Sequence, residues 1–136
     1  MKRKVKTAQI AKEDPRESDE QKIVFQWLEA NNIFSWHTPN ELGRSGAWKF
    51  SSILRAIGKR KGIHDLTIPD PAPANGKSTA LEMKKVGGGK ISAEQKIIHD
   101  RMRQCGWNVI IGRGADDAIR QLKELGYGSA RRDHEI

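Results

Sequence analysis

The chain has 136 residues, enough for one domain that buries a real core. Lys and Arg number 25 against 17 Asp and Glu, a formal net charge of +8. That balance favours a polyanionic partner, nucleic acid before an acidic membrane surface. A single cysteine excludes an intrachain disulfide framework and a cysteine-based zinc site, and no apolar run approaches membrane-spanning length.

In chain order, residues 1–13 are basic and polar and are expected to be a disordered tail. Their positive start lacks the apolar stretch of a secretory signal, which points to a cytoplasmic or nucleoid setting. The domain itself is expected over 14–128, with a loose tail at 129–136. A helix is predicted from Asp14-Pro15, with Asp14 as N-cap and Pro15 in the first turn. Ser18 and Gln21 offer a competing capping box. Ile23, Val24, Trp27 and Leu28 form the helix's apolar stripe. Residues 33–38 read as a strand, 47–57 as a helix stopped by Gly58, and 63–68 as a strand. Residues 69–77 are a loop with Asn75-Gly76 as its turn. A strand follows at 78–85. Ser92 caps a helix running to Gln104 and ended by Gly106. A strand at 107–112 and a helix at 115–125 complete the order α-β-α-β-β-α-β-α. This is an α/β chain with one mixed sheet and helices on its faces, and the strands around the 69–77 loop form an antiparallel pair. Cys105 is expected as a small core residue, and Trp36 and Trp48 as core or interface residues rather than base-stacking platforms.

The charged strand Leu81-Glu82-Met83-Lys84 raises the functional question. Glu, Met and Lys prefer helices, and charges are poor material for a central strand. Side chains alternate across a strand, so Leu81 and Met83 share one face while Glu82 and Lys84 share the other. If Leu66 and Ile68 join Leu81 and Met83 in the core, Asp65, Glu82 and Lys84 converge on the opposite face. Carboxylate oxygens at such a place bind a hard cation such as Mg²⁺, and a neighbouring lysine neutralises charge developing on a phosphodiester. The E-x-K triplet alone carries little weight, because it recurs at Glu20–Lys22 and Glu94–Lys96 on predicted helices. The competing reading of the central one is a surface strand with a cross-strand ion pair.

The segments ESDEQKIVFQWL, TPNELGRSG, GKRKGIHDLTIP, ALEMKK, KISAEQ and GWNVIIGRGADDAIRQL occur in this order over residues 17 to about 125. In that pattern the chain resembles the VRR-NUC family, a branch of the PD-(D/E)xK nuclease superfamily, and most of all its small stand-alone phage and bacterial members. The resemblance implies a restriction-endonuclease-like core and a Mg²⁺-dependent DNA endonuclease, with Mn²⁺ as a substitute. It further implies a homodimer acting on branched DNA such as Holliday junctions or flaps, and a 5′-phosphate product. By the same resemblance Asp65 and Glu82 would be metal ligands, the Met83 carbonyl a third, Lys84 the catalytic lysine, and Gln95 the glutamine of the following helix. Glu17 would be an acidic site residue on the first helix, with Glu20 as its rival. One position departs from the pattern: His64 stands where such proteins often have proline.

Residue patterns add to this. Glu17, Gln21, Val24 and Leu28 share one helical face. Ser92 and Gln95 form a capping-box pair, while Gln95 also shares a face with Ile98 and Met102. Lys49, Arg55, Lys59, Arg60 and Lys61 cluster shortly before Asp65 and are read as contacts to the DNA backbone. Lys85, Lys90 and the glycines 87–89 form either a phosphate-approaching loop or a merely flexible one. His64-Asp65 and His99-Asp100 imitate the HD dyad of all-helical phosphohydrolases, but the first lies on a predicted strand. Two alternatives remain open: a non-catalytic DNA-binding module of the same fold, and a nuclease acting on simple duplex or single-stranded ends.

Overall fold

The computed structural model describes residues 15–38, 58 and 62–129, with side chains from residue 18 onward. The expected tails at 1–13 and beyond 129, the Asp14 cap, the helix at 47–57 and Trp48 lie outside the described residues. Among those residues the order is α1 (Pro15–Ala30), β1 (Trp36–His37), β2 (Leu66–Ile68), β3 (Thr79–Lys84), α2 (Ala93–Gln104), β4 (Asn108–Arg113) and α3 (Ala115–Glu124). No helix among them is long and apolar enough to cross a membrane.

The strands form one mixed sheet in the order β1-β2-β3-β4. β1 and β2 pair antiparallel, as do β2 and β3 across the 69–77 loop, while β3 and β4 run parallel. The parallel pair needs a crossover, and α2 supplies it. Two strands are shorter than their sequence patterns: 33–38 contracts to Trp36–His37 and 63–68 to Leu66–Ile68. The reason is local. The Ile33 amide closes α1 on the Leu28 carbonyl at 2.9 Å, and the Phe34 amide donates to the Asp70 carboxylate at 2.9 Å, so neither joins a ladder.

Cross-strand partners share a face of the sheet. Leu66 pairs with Leu81, Ile68 with Thr79, and Leu81 with Ile110. This face is the core, where Val24 and Leu28 of α1, Ala118 and Leu122 of α3, and Leu66, Ile68, Leu81 and Met83 of the sheet pack together. α1, α2 and α3 end alike. The amides of Ile33, Trp107 and Tyr127 reach back to the carbonyls of Leu28, Met102 and Leu122. The residue before each takes a positive φ: Asn32 (60°), Gly106 (94°) and Gly126 (94°). This is the Schellman ending, in which a left-handed residue releases the chain and satisfies orphaned carbonyls.

One expectation changes and one narrows: Trp36, expected in the core or at an interface, is not in the core. Cys105 is exposed, not buried, because it caps α2 just beyond the inward stripe of that helix. Trp36 is 47% exposed and Phe34 60% exposed, since Ile33 and Ser35 take the inward positions of that segment; their rings meet edge to face at 5.6 Å.

Candidate active site

The face opposite the core carries the charges. Asp65 precedes β2; its carboxylate Oδ2 accepts a hydrogen bond from the Met83 amide at 2.7 Å. Glu82 and Lys84 stand on β3 two residues apart and therefore on one face. The Glu82 carboxyl is buried, and its Oε2 lies 3.7 Å from the Lys84 ammonium. The same oxygen accepts a hydrogen bond from the side-chain Nε2 of Gln95 on α2 at 2.8 Å. Lys84 and Gln95 thus meet at one oxygen of Glu82, and Asp65 is tied to the backbone of the same strand one residue further on. A buried carboxylate needs such partners, because leaving it uncompensated would cost several kcal/mol, of order 3–5.

The backbone of β3 adds a further oxygen. The Leu81 carbonyl accepts the Asp65 amide, and the Met83 amide serves the Asp65 side chain, so alternate residues of β3 address β2. The Lys84 carbonyl accepts the Gly114 amide on the other side. By this alternation the Met83 carbonyl turns towards Asp65. Two carboxylates with a backbone carbonyl form a hard oxygen donor set. It fits Mg²⁺, which takes one or two carboxylates and completes its shell with waters and phosphate oxygens. Among the described residues no group of three or more His, Cys, Asp or Glu side chains could hold a metal ion.

Gln95 does two jobs. Its Oε1 accepts the Ser92 amide at 3.0 Å while Ser92 Oγ accepts the Gln95 amide at 3.1 Å, the reciprocal capping box. Its Nε2 is left for Glu82. Glu20, the rival acid of α1, is engaged elsewhere: its Oε1 accepts the Ala115 amide at 2.5 Å and so serves the first turn of α3. The Glu17 side chain lies outside the described residues, as do Lys49, Arg55, Lys59, Arg60 and Lys61. Lys85 and Lys90 flank the glycine turn after β3 on exposed positions.

Three histidines near the site take structural roles that their sequence patterns do not foretell. His37 Nδ1 sits 2.8 Å from the Gln21 amide nitrogen and 3.1 Å from the Asp65 carbonyl, tying α1 and β1 to the turn that holds the acid. His64 is buried, with Nε2 2.6 Å from Thr67 Oγ1. Burial, and then His99, lower its pKa to about 4. His99, one turn after Gln95 on α2, is 2% exposed and also held neutral, chiefly by burial and then by Arg103. Its spacing from Gln95 places both on one face of α2.

No family model and no curated protein matches the chain. Among solved structures, a chain described as a VRR_NUC domain protein superimposes with a TM-score of 0.67 at 19% sequence identity, covering 80% of this chain and 86% of that one. The fold expected from the sequence motifs is therefore the fold observed: this chain is built like a VRR_NUC domain protein.

Proposed function

We propose that the chain is a metal-dependent DNA endonuclease. The observation that carries this is the meeting of Lys84 and Gln95 on the buried Glu82 carboxylate, with Asp65 held by the Met83 amide of the same strand, in a fold shared with a VRR_NUC domain protein. Asp65, Glu82 and the Met83 carbonyl would hold Mg²⁺, or Mn²⁺ in its place. When bound, the ion makes a coordinated water more acidic and offsets negative charge on the phosphodiester. The chain's own residues do the rest. The Met83 amide fixes the Asp65 carboxylate, and Gln95 fixes Glu82. Glu82 in turn anchors the Lys84 ammonium, which orients the attacking water and neutralises charge as the phosphorus–oxygen bond forms. The bond to the leaving 3′-oxygen breaks and that oxygen takes up a proton from solvent, matching the one the attacking water gives up, so the products would be a 3′-hydroxyl and a 5′-phosphate. The surplus of positive charge draws in the DNA backbone.

The preferred substrate in this proposal is branched DNA, a four-way junction or flap, cut by a homodimer in the cytoplasm. The test is cleavage of labelled four-way, flap and linear DNA in Mg²⁺, Mn²⁺ and EDTA. Metal-dependent cutting with branched DNA preferred is the expected result. Equal cutting of linear ends would reject the branched preference. Binding without cutting, on every substrate, would leave a non-catalytic DNA-binding module.

A further inference from the structure

β3 ends at Lys84, and the glycine turn that follows has no role in the proposed chemistry so far. The chain does not leave the site there. Gly88 donates its amide to the Lys85 carbonyl at 3.2 Å, closing a turn that brings Gly89 back over the strand. Gly89 takes φ +80°, and a Cβ there would stand 3.2 Å from Lys84 Cδ and 3.4 Å from its Cβ. The backbone of the turn therefore lies against the aliphatic stem of the lysine. Lys84 can be reached this closely only because the residue above it has no side chain.

Something must hold the turn down, and Arg113 does so. It pairs with Lys84 in the parallel register of β3 and β4, which places both side chains on the same face. Two cations side by side would repel, yet the Arg113 guanidinium is turned away into the turn. Its Nη1 donates to the carbonyl of Gly88 and, at 2.8 Å, to that of Gly89. A second clasp lies further along. Val86 rests on Gly114, where a Cβ would meet Val86 Cγ2 at 2.5 Å. The free amine end of Lys84, with its stem confined on one side, is left near Glu82 Oε2.

We infer that Arg113 is a positioning residue for Lys84, acting through the carbonyls of Gly88 and Gly89, which it fastens over the lysine stem. This rests on the reading of Lys84 as the catalytic lysine. It also assigns the glycine turn a purpose other than approaching a phosphate: its carbonyls face inward to Arg113.

The experiment compares wild type with Arg113→Ala, Arg113→Lys and Gly89→Ala, at saturating protein, on whichever DNA the wild type cuts. Small displacements of a catalytic group lower rates by on the order of tenfold to a hundredfold, so Arg113→Ala should lose that much in single-turnover rate. DNA affinity, measured in EDTA, should stay close to wild type. Amide hydrogen exchange at residues 87–90 should rise. Arg113→Lys, which can still donate to both carbonyls, should recover most of the rate. Gly89→Ala keeps Arg113 but pushes on the lysine stem, and it should slow cleavage even if Arg113→Ala does not fold. A rate unchanged in Arg113→Ala despite faster exchange in the turn would overturn the inference. So would a loss shared equally with DNA affinity.

A readout without turnover separates this inference from the nuclease proposal. In protein carrying ¹³C-dimethylated lysines, the Lys84 resonance, assigned through Lys84→Arg, should shift and sharpen in Arg113→Ala. An inert wild type would reject the nuclease while that shift still showed that Arg113 orders the lysine. An unmoved resonance would reject the positioning role.

Discussion

At the scale of single residues, the site depends on side chains that serve two partners at once. Gln95 closes the cap of α2 and supports Glu82, and the two roles can be separated. Ser92→Ala removes only the cap and is expected to cost about 1 kcal/mol of stability with little change in cleavage. Gln95→Ala removes both and should lower thermal stability and cleavage together; equal cleavage by the two variants would show that the Glu82 contact is idle. Glu20 shows the opposite case, an acid near the site that belongs to the frame. Its carboxylate sits on the Ala115 amide at the N-terminus of α3, where the helix dipole favours it. Glu20→Ala should lower the melting temperature by an amount matching about 1 kcal/mol, and Glu20→Gln, whose amide oxygen still accepts, should retain most of it. From the sequence Glu20 was only a rival to Glu17, because a bond between residues 95 positions apart leaves no local pattern.

At the scale of elements, two contacts set how closely the layers approach. α3 lies against β4 where Gly112 faces Ala118: a Cβ on Gly112 would stand 2.6 Å from Ala118 Cβ and 3.3 Å from Leu81 Cδ1. Gly112→Ala must push helix and strand apart, and it is expected to cost about 1–3 kcal/mol, read from the urea midpoint. An unchanged midpoint would mean that the layer gives way easily. On the other face, His64 and His99 are both buried, and burial lowers the pKa of each. The folded protein keeps His64 neutral down to about pH 4, whereas the unfolded chain protonates it near 6.5. Across that window the unfolded state holds the extra proton, so stability falls as pH drops and gains nothing further from this ring above 6.5. The loss across the whole window is of order 3 kcal/mol, and about 2 kcal/mol of it falls between pH 7 and 5. Urea midpoints at pH 7 and 5 should fall further for wild type than for His64→Gln; parallel falls would contradict the burial of a neutral ring.

At the scale of the whole molecule, the fold places a polar constellation on one face of a sheet whose other face is the core. That separation was legible. The four residues Leu81–Lys84 of β3 alternate apolar and charged, so once Leu81 and Met83 are buried on one face, Glu82 and Lys84 take the other. The antiparallel pairing across the Asn75-Gly76 loop and the Ser92–Gln95 cap were legible for the same reason, being local chemistry. What could not be read depends on register between distant segments. Arg113 meets the glycine turn only because β3 and β4 run parallel in one alignment, and Glu20 and His37 reach their partners across the fold. Of the two readings for Trp36, core or interface, the alternation of Ile33 and Ser35 excludes the core by turning it out. The central claim, that these charges perform phosphodiester hydrolysis, is tested most directly at Lys84. The measurement is the single-turnover cleavage rate of wild type and Lys84→Ala in Mg²⁺ on the same DNA, with binding followed in parallel. The account predicts metal-dependent cutting by wild type and a loss on the order of 10²–10³-fold in Lys84→Ala with DNA still bound. Cleavage by Lys84→Ala at the wild-type rate would contradict it.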